Sequence, residues 1–322
     1  MPRYKLTIAY DGTDFHGWQR QTLKADSPNA LDLIARGKAH QTRDGLLMLR
    51  TVQETVQQAV RDVVREQVEL IGASRTDSGV HARGQVAAFT CAPREHPATP
   101  TPADDLAAPI APAEATQPAA PRESAAPPVR GQGWPLERGV DRLVMAINSR
   151  LPEDVQVLSA EAVGPDFDPI AGAVRKAYSY TFHCGHERPL WDRRFVHHVW
   201  TRDGLDLDAM NAAADALVGE HDFAAFAAAG HGRLSTVRRV FRCGVVRVEH
   251  AHAPRYRLEI EGNGFLWNMV RIVAGTIMQV GLGQRTPADV REGLASLDRA
   301  RTGPTLSPEG LCLEWIQYAQ RP

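Results

Sequence analysis

The stretch "GASRTDSGVHARGQVAAF", residues 72 to 89, sets one carboxylate, Asp77, two residues after Arg75 and just before Ser78 and Gly79, with apolar runs on both sides. An aspartate on a tight turn between two strands can share a proton with a second carboxylate, as aspartic proteases do, or act alone as nucleophile or base. The first chemistry needs a partner, and no second Asp-Ser-Gly or Asp-Thr-Gly occurs, so it survives only as a homodimeric protease with one aspartate per subunit. Arg75, if it reaches Asp77, favours the charged carboxylate and works against proton sharing. The plain alternative is a turn aspartate accepting backbone N–H bonds.

Two further residues invite chemistry. Arg271 stands in the apolar run "WNMVRIVAGT", where an unpaired guanidinium is costly and requires an anion nearby. Tyr178 in "KAYSYTFH" shares one strand face with Tyr180 and Phe182, a pattern that serves either a packed sheet or a stacking surface.

The elements that must position these residues follow from periodicity. "YKLTIAY" alternates as a half-buried strand and runs into the turn "DGTDFHG". Thr51 and Glu54 have capping-box spacing at the head of a helix whose Val52, Val56, Val60 and Val63 form one stripe. "VELIGAS" and "GQVAAFT" read as strands flanking the Asp77 loop. Residues 92 to 133 hold ten of the 22 prolines and read as a disordered insertion. A helix at "LERGVDRLVMAINSRLP" and the strand "VQVLSAEAV" then close a first lobe, 1–164. The second, 165–322, carries the Tyr178 strand, a helix from 207 to 217, the strands "FRCGVVRVEH" and "RYRLEIEGN", the Arg271 helix, a helix near 287 to 297 and the strand "LCLEWIQYA". The expectation is an α+β protein of two α/β lobes, with a mixed, mainly antiparallel sheet and a central cleft.

With 37 Lys and Arg against 38 Asp and Glu, no global positive field recruits nucleic acid. A local patch exists between 231 and 257, where Arg233, Arg238, Arg239, Arg242, Arg247, Arg255 and Arg257 face Glu249 alone. Cys91, Cys184, Cys243 and Cys312 are far apart and form no metal or disulfide pattern. With no apolar stretch of about 18 residues, the chain reads as soluble and cytoplasmic.

The Asp77 stretch resembles the signature loop G-x-x-R-T-D-x-G-V-H of the tRNA pseudouridine synthase A family. "YDGTDFHGWQRQ", "VQETVQQAV", "INSRLPEDV", "LVGEHDFAAF", "NGFLWNMVRIVAGT" and "PEGLCL" are similar to that family's blocks, in order, over nearly the whole chain. The resemblance implies a pseudouridine synthase fold and isomerisation of uridine in the anticodon stem-loop of tRNA, at positions 38, 39 and 40. It implies Asp77 as the one catalytic carboxylate, with no metal, nucleotide or redox cofactor. Arg75 is then the arginine that pairs with the aspartate and helps displace the base, Tyr178 the ring that packs on uracil, and Arg271 an arginine reaching the cleft. Asp11 and Trp18 match a cleft-lining loop. The family is homodimeric, with tRNA contacting both subunits. The competing reading is a noncatalytic RNA-binding module of the same fold. Three features depart from the family: the inserts at 22–50 and 92–133, and Phe167, Asp168, Pro169 and Ile170 where Phe-His-Ala-Arg is common. The last exchange removes a cation and adds an anion, which predicts weaker RNA contact there.

Overall fold

The computed structural model describes residues 1–24, 26–27, 30–42, 44–93, 132–228, 235–251 and 253–319. The proline-rich segment, apart from its ends, and Arg233 lie outside the described residues.

Strand β1 (Arg3–Tyr10) alternates as its sequence requires, burying Tyr4, Leu6, Ile8 and Tyr10. The stretch read as an insert is ordered: β2 (Thr22–Lys24), the short helix α1 (Ala30–Ala35), β3 (Ala39–Gln41) and β4 (Leu46–Leu49) make a separate sheet in the order β2-β4-β3 over its own small core. Helix α2 (Val52–Val64) starts after Thr51, whose side chain makes no cap hydrogen bond, so the predicted capping box is absent. Short β5 (Ile71–Gly72) and long β6 (His81–Thr90) flank the Asp77 loop.

Beyond the proline-rich segment come α3 (Gly139–Asn148) and β7 (Val155–Val163), then β8 (Ala173–Cys184), β9 (His197–Val199), α4 (Leu207–Asp215) and β10 (Gly219–Asp222). The chain continues through β11 (Val237–Val248), β12 (Arg255–Gly262), α5 (Met269–Gly281), α6 (Pro287–Ser296) and β13 (Leu311–Tyr318). A capping box does form at α6, where Thr286 and Asp289 exchange side-chain and backbone bonds.

One ten-stranded sheet carries the molecule, in the order β10-β11-β12-β8-β13-β6-β1-β7, with β5 beside β6 and β9 beside β8. Its strand pairs are antiparallel except β8–β9 and β13–β6. The β13–β6 contact is the seam between the early and late strands, and it is only two residue pairs long, Cys312 with His81 and Leu313 with Ala82. Gly84 permits this approach: a Cβ there would sit 2.4 Å from the Glu314 carbonyl oxygen. Helices α2, α3, α4 and α5 pack over the apolar face, sharing one core with Leu6, Ile8, Phe89, Tyr180, Leu258 and Ile260.

The opposite face is polar, and there three of the arginines of 231–257 meet anions beyond that window. Arg257 pairs with Glu259 at 2.7 Å, Arg242 with Glu259 and Glu261 at 3.4 and 3.7 Å, and Arg255 with Asp192 at 2.5 Å. Strand alternation forces this, because residues 257, 259 and 261 share a face. Asp168 also has a structural duty: its Oδ1 accepts the backbone N–H groups of Ile170 and Ala171, which holds its carboxyl below the usual range.

Candidate active site

The seam is what assembles the site. Across three strands Ala82, Leu313 and Tyr178 stand in register, so the tyrosine of β8 lies two strands from the strand that the Asp77 loop enters. The turn "YDGTDFHGW" braces that loop from the other side. Trp18 N donates to Thr76 O at 3.0 Å, Ser78 Oγ to Phe15 O at 3.0 Å, and the Tyr10 and Thr76 hydroxyls bond at 2.8 Å. Gly17 sits at φ 84, and a Cβ there would lie 2.6 Å from the Thr76 carbonyl oxygen.

Asp77 keeps about a third of its side chain exposed and has two donors. Arg271 Nη1 approaches Oδ2 at 3.5 Å, and Trp267 Nε1 donates to Oδ1 at 3.2 Å. Arg271 itself is locked: Nε donates to Leu306 O at 2.6 Å and Nη1 to Asn268 Oδ1 at 2.9 Å. The anion that its apolar helix required is thus Asp77. Arg75 does not fill that place. It is exposed, and among the described residues it makes no ion pair with Asp77; its side chain leaves the loop toward solvent while Arg271 approaches from α5.

Tyr178 is buried, its ring edge-on to Phe265 at 5.2 Å and its hydroxyl 3.1 Å from Ser74 Oγ. Burial pushes its phenol up to about 12, helped by the Asp77 charge and opposed by the Ser74 hydrogen bond, so it stands protonated at neutral pH beside the carboxylate. Site residues Asp77, Arg271 and Tyr178 are therefore brought together, and Arg75 borders them from the loop.

The two residues of the glycine-rich turn part company, and among the described residues neither hydrogen-bonds to Asp77. Trp18 is 2% exposed and lies under the loop against Gly72 and Tyr10. Asp11 turns to His81 at 3.2 Å and Arg194 at 3.7 Å. Burial would raise the Asp11 carboxyl, but hydrogen bonds from His81 and Thr13 outweigh it and hold it below the usual range. A cavity of 320 Å³ lies beside Asp11, His81, Cys312 and Glu314, and none of Asp77, Tyr178 and Arg271 lines it. Among the described residues no cluster of three or more His, Cys, Asp or Glu side chains is placed to hold a metal ion, and no helix is long and apolar enough to cross a membrane.

Trp267, Asn268 and Phe265 escaped the sequence reading. The spacing of Asn268 and Arg271, three apart at a helix start, was the available signal for one pair; nothing in the sequence aims the Trp267 indole at Asp77.

The arrangement is a carboxylate flanked by a fixed cation and an indole N–H, next to a protonated phenol, with about a third of the carboxylate side chain exposed. The family model described as tRNA pseudouridine synthase matches residues 213–319, the part that carries Arg271. Full-length likeness extends to the Asp77 loop. The chain is 34% identical over 318 residues to "tRNA pseudouridine synthase A" of Thermoanaerobacter pseudethanolicus and 33% identical to that of Geobacter sulfurreducens. It is 30% identical to "tRNA pseudouridine synthase A 2" of Clostridium perfringens, and in all three cases 99% of this chain and 100% of the relative are covered. With that coverage, a mixed sheet seamed at its centre and the signature loop placed at the seam, the chain belongs to the tRNA pseudouridine synthase A family of isomerases.

Proposed function

We propose that this protein converts uridine to pseudouridine in the anticodon stem-loop of tRNA, at positions 38, 39 and 40, with Asp77 as its one catalytic carboxylate and no cofactor. The reaction breaks the N1–C1′ bond, turns the uracil and joins C5 to C1′; N1 gains a proton and C5 loses one, so the product is an isomer and no redox partner is consumed. Asp77 serves by attacking C1′ or by taking a proton from the ribose, and both routes use one free oxygen of the carboxylate. The observation that carries the reading is the pairing of Asp77 with the locked guanidinium of Arg271 beside the Tyr178 ring.

The uridine must leave its stack, at a cost of a few kcal/mol, and stacking on an aromatic ring returns about 1–3 kcal/mol. Tyr178 is the ring for that contact, and its protonated hydroxyl beside Ser74 can relay the C5 proton. Arg75, exposed on the same loop, enters the helical stack as the base leaves it. The protein works on tRNA in the cytoplasm as a homodimer whose two subunits share one tRNA.

Asp77→Asn tests the assignment. It keeps the shape and abolishes tritium release from C5-labelled tRNA; because it also takes the anion from Arg271 the melting temperature falls, while the far-UV spectrum and tRNA affinity stay near those of the parent. Appreciable turnover in the variant would remove Asp77 from the chemistry. Absence of activity in the parent on any tRNA would favour the noncatalytic RNA-binding module.

A further inference from the structure

We infer that Trp267 is a placeholder on the reacting oxygen of Asp77: its indole N–H holds Oδ1 in the free protein and is released when the flipped uridine enters. The inference rests on the reading of Asp77 as the catalytic carboxylate. It starts from an asymmetry between the two donors. Arg271 is 16% exposed and anchored by Leu306 O and Asn268 Oδ1 as well as Asp77, so it cannot leave without stranding a buried charge. Trp267 is half exposed, and its indole N–H has the carboxylate as its one protein acceptor among the described residues.

The backbone confines any movement to the side chain. Trp267 O accepts from Ala228 N at 3.1 Å, and the next residue, Asn268, sits in the left-handed region at φ 61 at the head of α5, with its Oδ1 holding Arg271. Rotation about the Trp267 side-chain bonds leaves that lock intact. The charged and titratable groups facing Asp77 are then Arg271 from α5 and Tyr178 from β8, while Arg75 on its own loop is exposed.

Chemistry selects Oδ1. An oxygen that attacks C1′, or that takes a ribose proton, must offer a lone pair to the substrate, and a hydrogen bond held on that oxygen weakens it. Oδ2 stays with Arg271, so Oδ1 is the oxygen that must be uncovered. In the free protein the indole keeps this anion hydrogen-bonded; in the complex the ribose takes its place, and the displaced ring at the cleft mouth is free to stack on an RNA base.

The indole N–H resonance of Trp267, identified by its loss in Trp267→Phe, reports the contact directly. It should shift in Asp77→Asn, which removes the anion, and shift again when an unmodified anticodon stem-loop transcript is added to the parent protein. In kinetics, Trp267→Phe should raise kcat/KM severalfold, because the bond to Oδ1 no longer has to be given up as substrate enters. Trp267→Ala should raise KM more than it lowers kcat, since it also removes the stacking ring. A resonance indifferent to Asp77→Asn or to RNA would overturn the placeholder, as would an unchanged or lowered kcat/KM of folded Trp267→Phe. Failure of the parent itself to release tritium would instead sink the catalytic reading of Asp77, so the two failures are told apart.

Discussion

Arg75 and Arg271 are both candidates for the partner of Asp77, and their surroundings decide between them. Arg75 sits on the same turn as the aspartate and points to solvent, whereas Arg271 descends from α5 with its guanidinium fork divided between Leu306 O, Asn268 and Asp77. Lysine has one compact ammonium on a flexible stem and cannot serve Leu306 O and Asp77 from the two arms of a planar fork. Arg271→Lys should therefore lower the single-turnover rate on the order of 10²-fold, the scale of a 1 Å misplacement, while tRNA affinity changes little. Rates at saturating tRNA compared with filter-binding affinities would check this; an unchanged rate would make Arg271 a structural ion pair only.

At the scale of elements, the catalytic loop is held by a glycine-rich turn distant in sequence. Gly17 faces the Thr76 carbonyl and the Asp77 backbone so closely that a methyl group at φ 84 has no room. Gly17→Ala should displace the loop, lowering the melting temperature by several degrees and kcat by at least about tenfold, with the far-UV spectrum retained. Equal activity would show that the loop accommodates the shift. The proline-rich segment poses the opposite case. Its two ends are anchored side by side: Pro93 bridges to Trp134, Ala92 N donates to Glu66 at 2.8 Å, and Gly133 N donates to Val64 O at 2.7 Å. A loop that leaves and returns at adjacent points costs only about 0.6 kcal/mol per doubling of length, so deletion of 97–128 should leave the melting temperature and activity close to those of the parent. Thermal unfolding and tritium release of the shortened chain would decide it.

For the whole molecule, the long sheet buries phenols and thiols together. Burial pushes Tyr4 and Tyr178 up to about 12, raises Tyr10, Tyr180 and Tyr318 as well, and moves Cys91 to about 11 and Cys184, Cys243 and Cys312 to about 12. Each of these groups is neutral in the fold and ionises first in the unfolded chain, near 9 for thiols and 10 for phenols. Their contribution is thus fully present below about pH 9 and is lost as pH rises toward 12, a fully buried group giving up about 1.4 kcal/mol for each pH unit between its unfolded and folded pKa. Urea midpoints should be level from pH 7 to about 9 and then fall steeply; a midpoint unchanged at pH 11 would contradict the burial of these groups.

Local patterning determined much at this scale. Period-two alternation placed β1 and β8, valine spacing placed α2, and the motif string named the loop on which Asp77 stands. Those features are legible because they depend on neighbours two to four residues away. The ordered β2–β4 sheet was missed because its strands are three or four residues long and carry too few periods to read. The partner of Asp77, the burial of Trp18 and the position of Trp267 were decided by packing. Arg271 is 194 residues from Asp77 and Trp267 190 residues from it, and they meet only because β13 pairs beside β6 for two residues at the seam. Such contacts depend on which strands become neighbours in the sheet, a choice set by the burial of the whole apolar face rather than by any local run of residues.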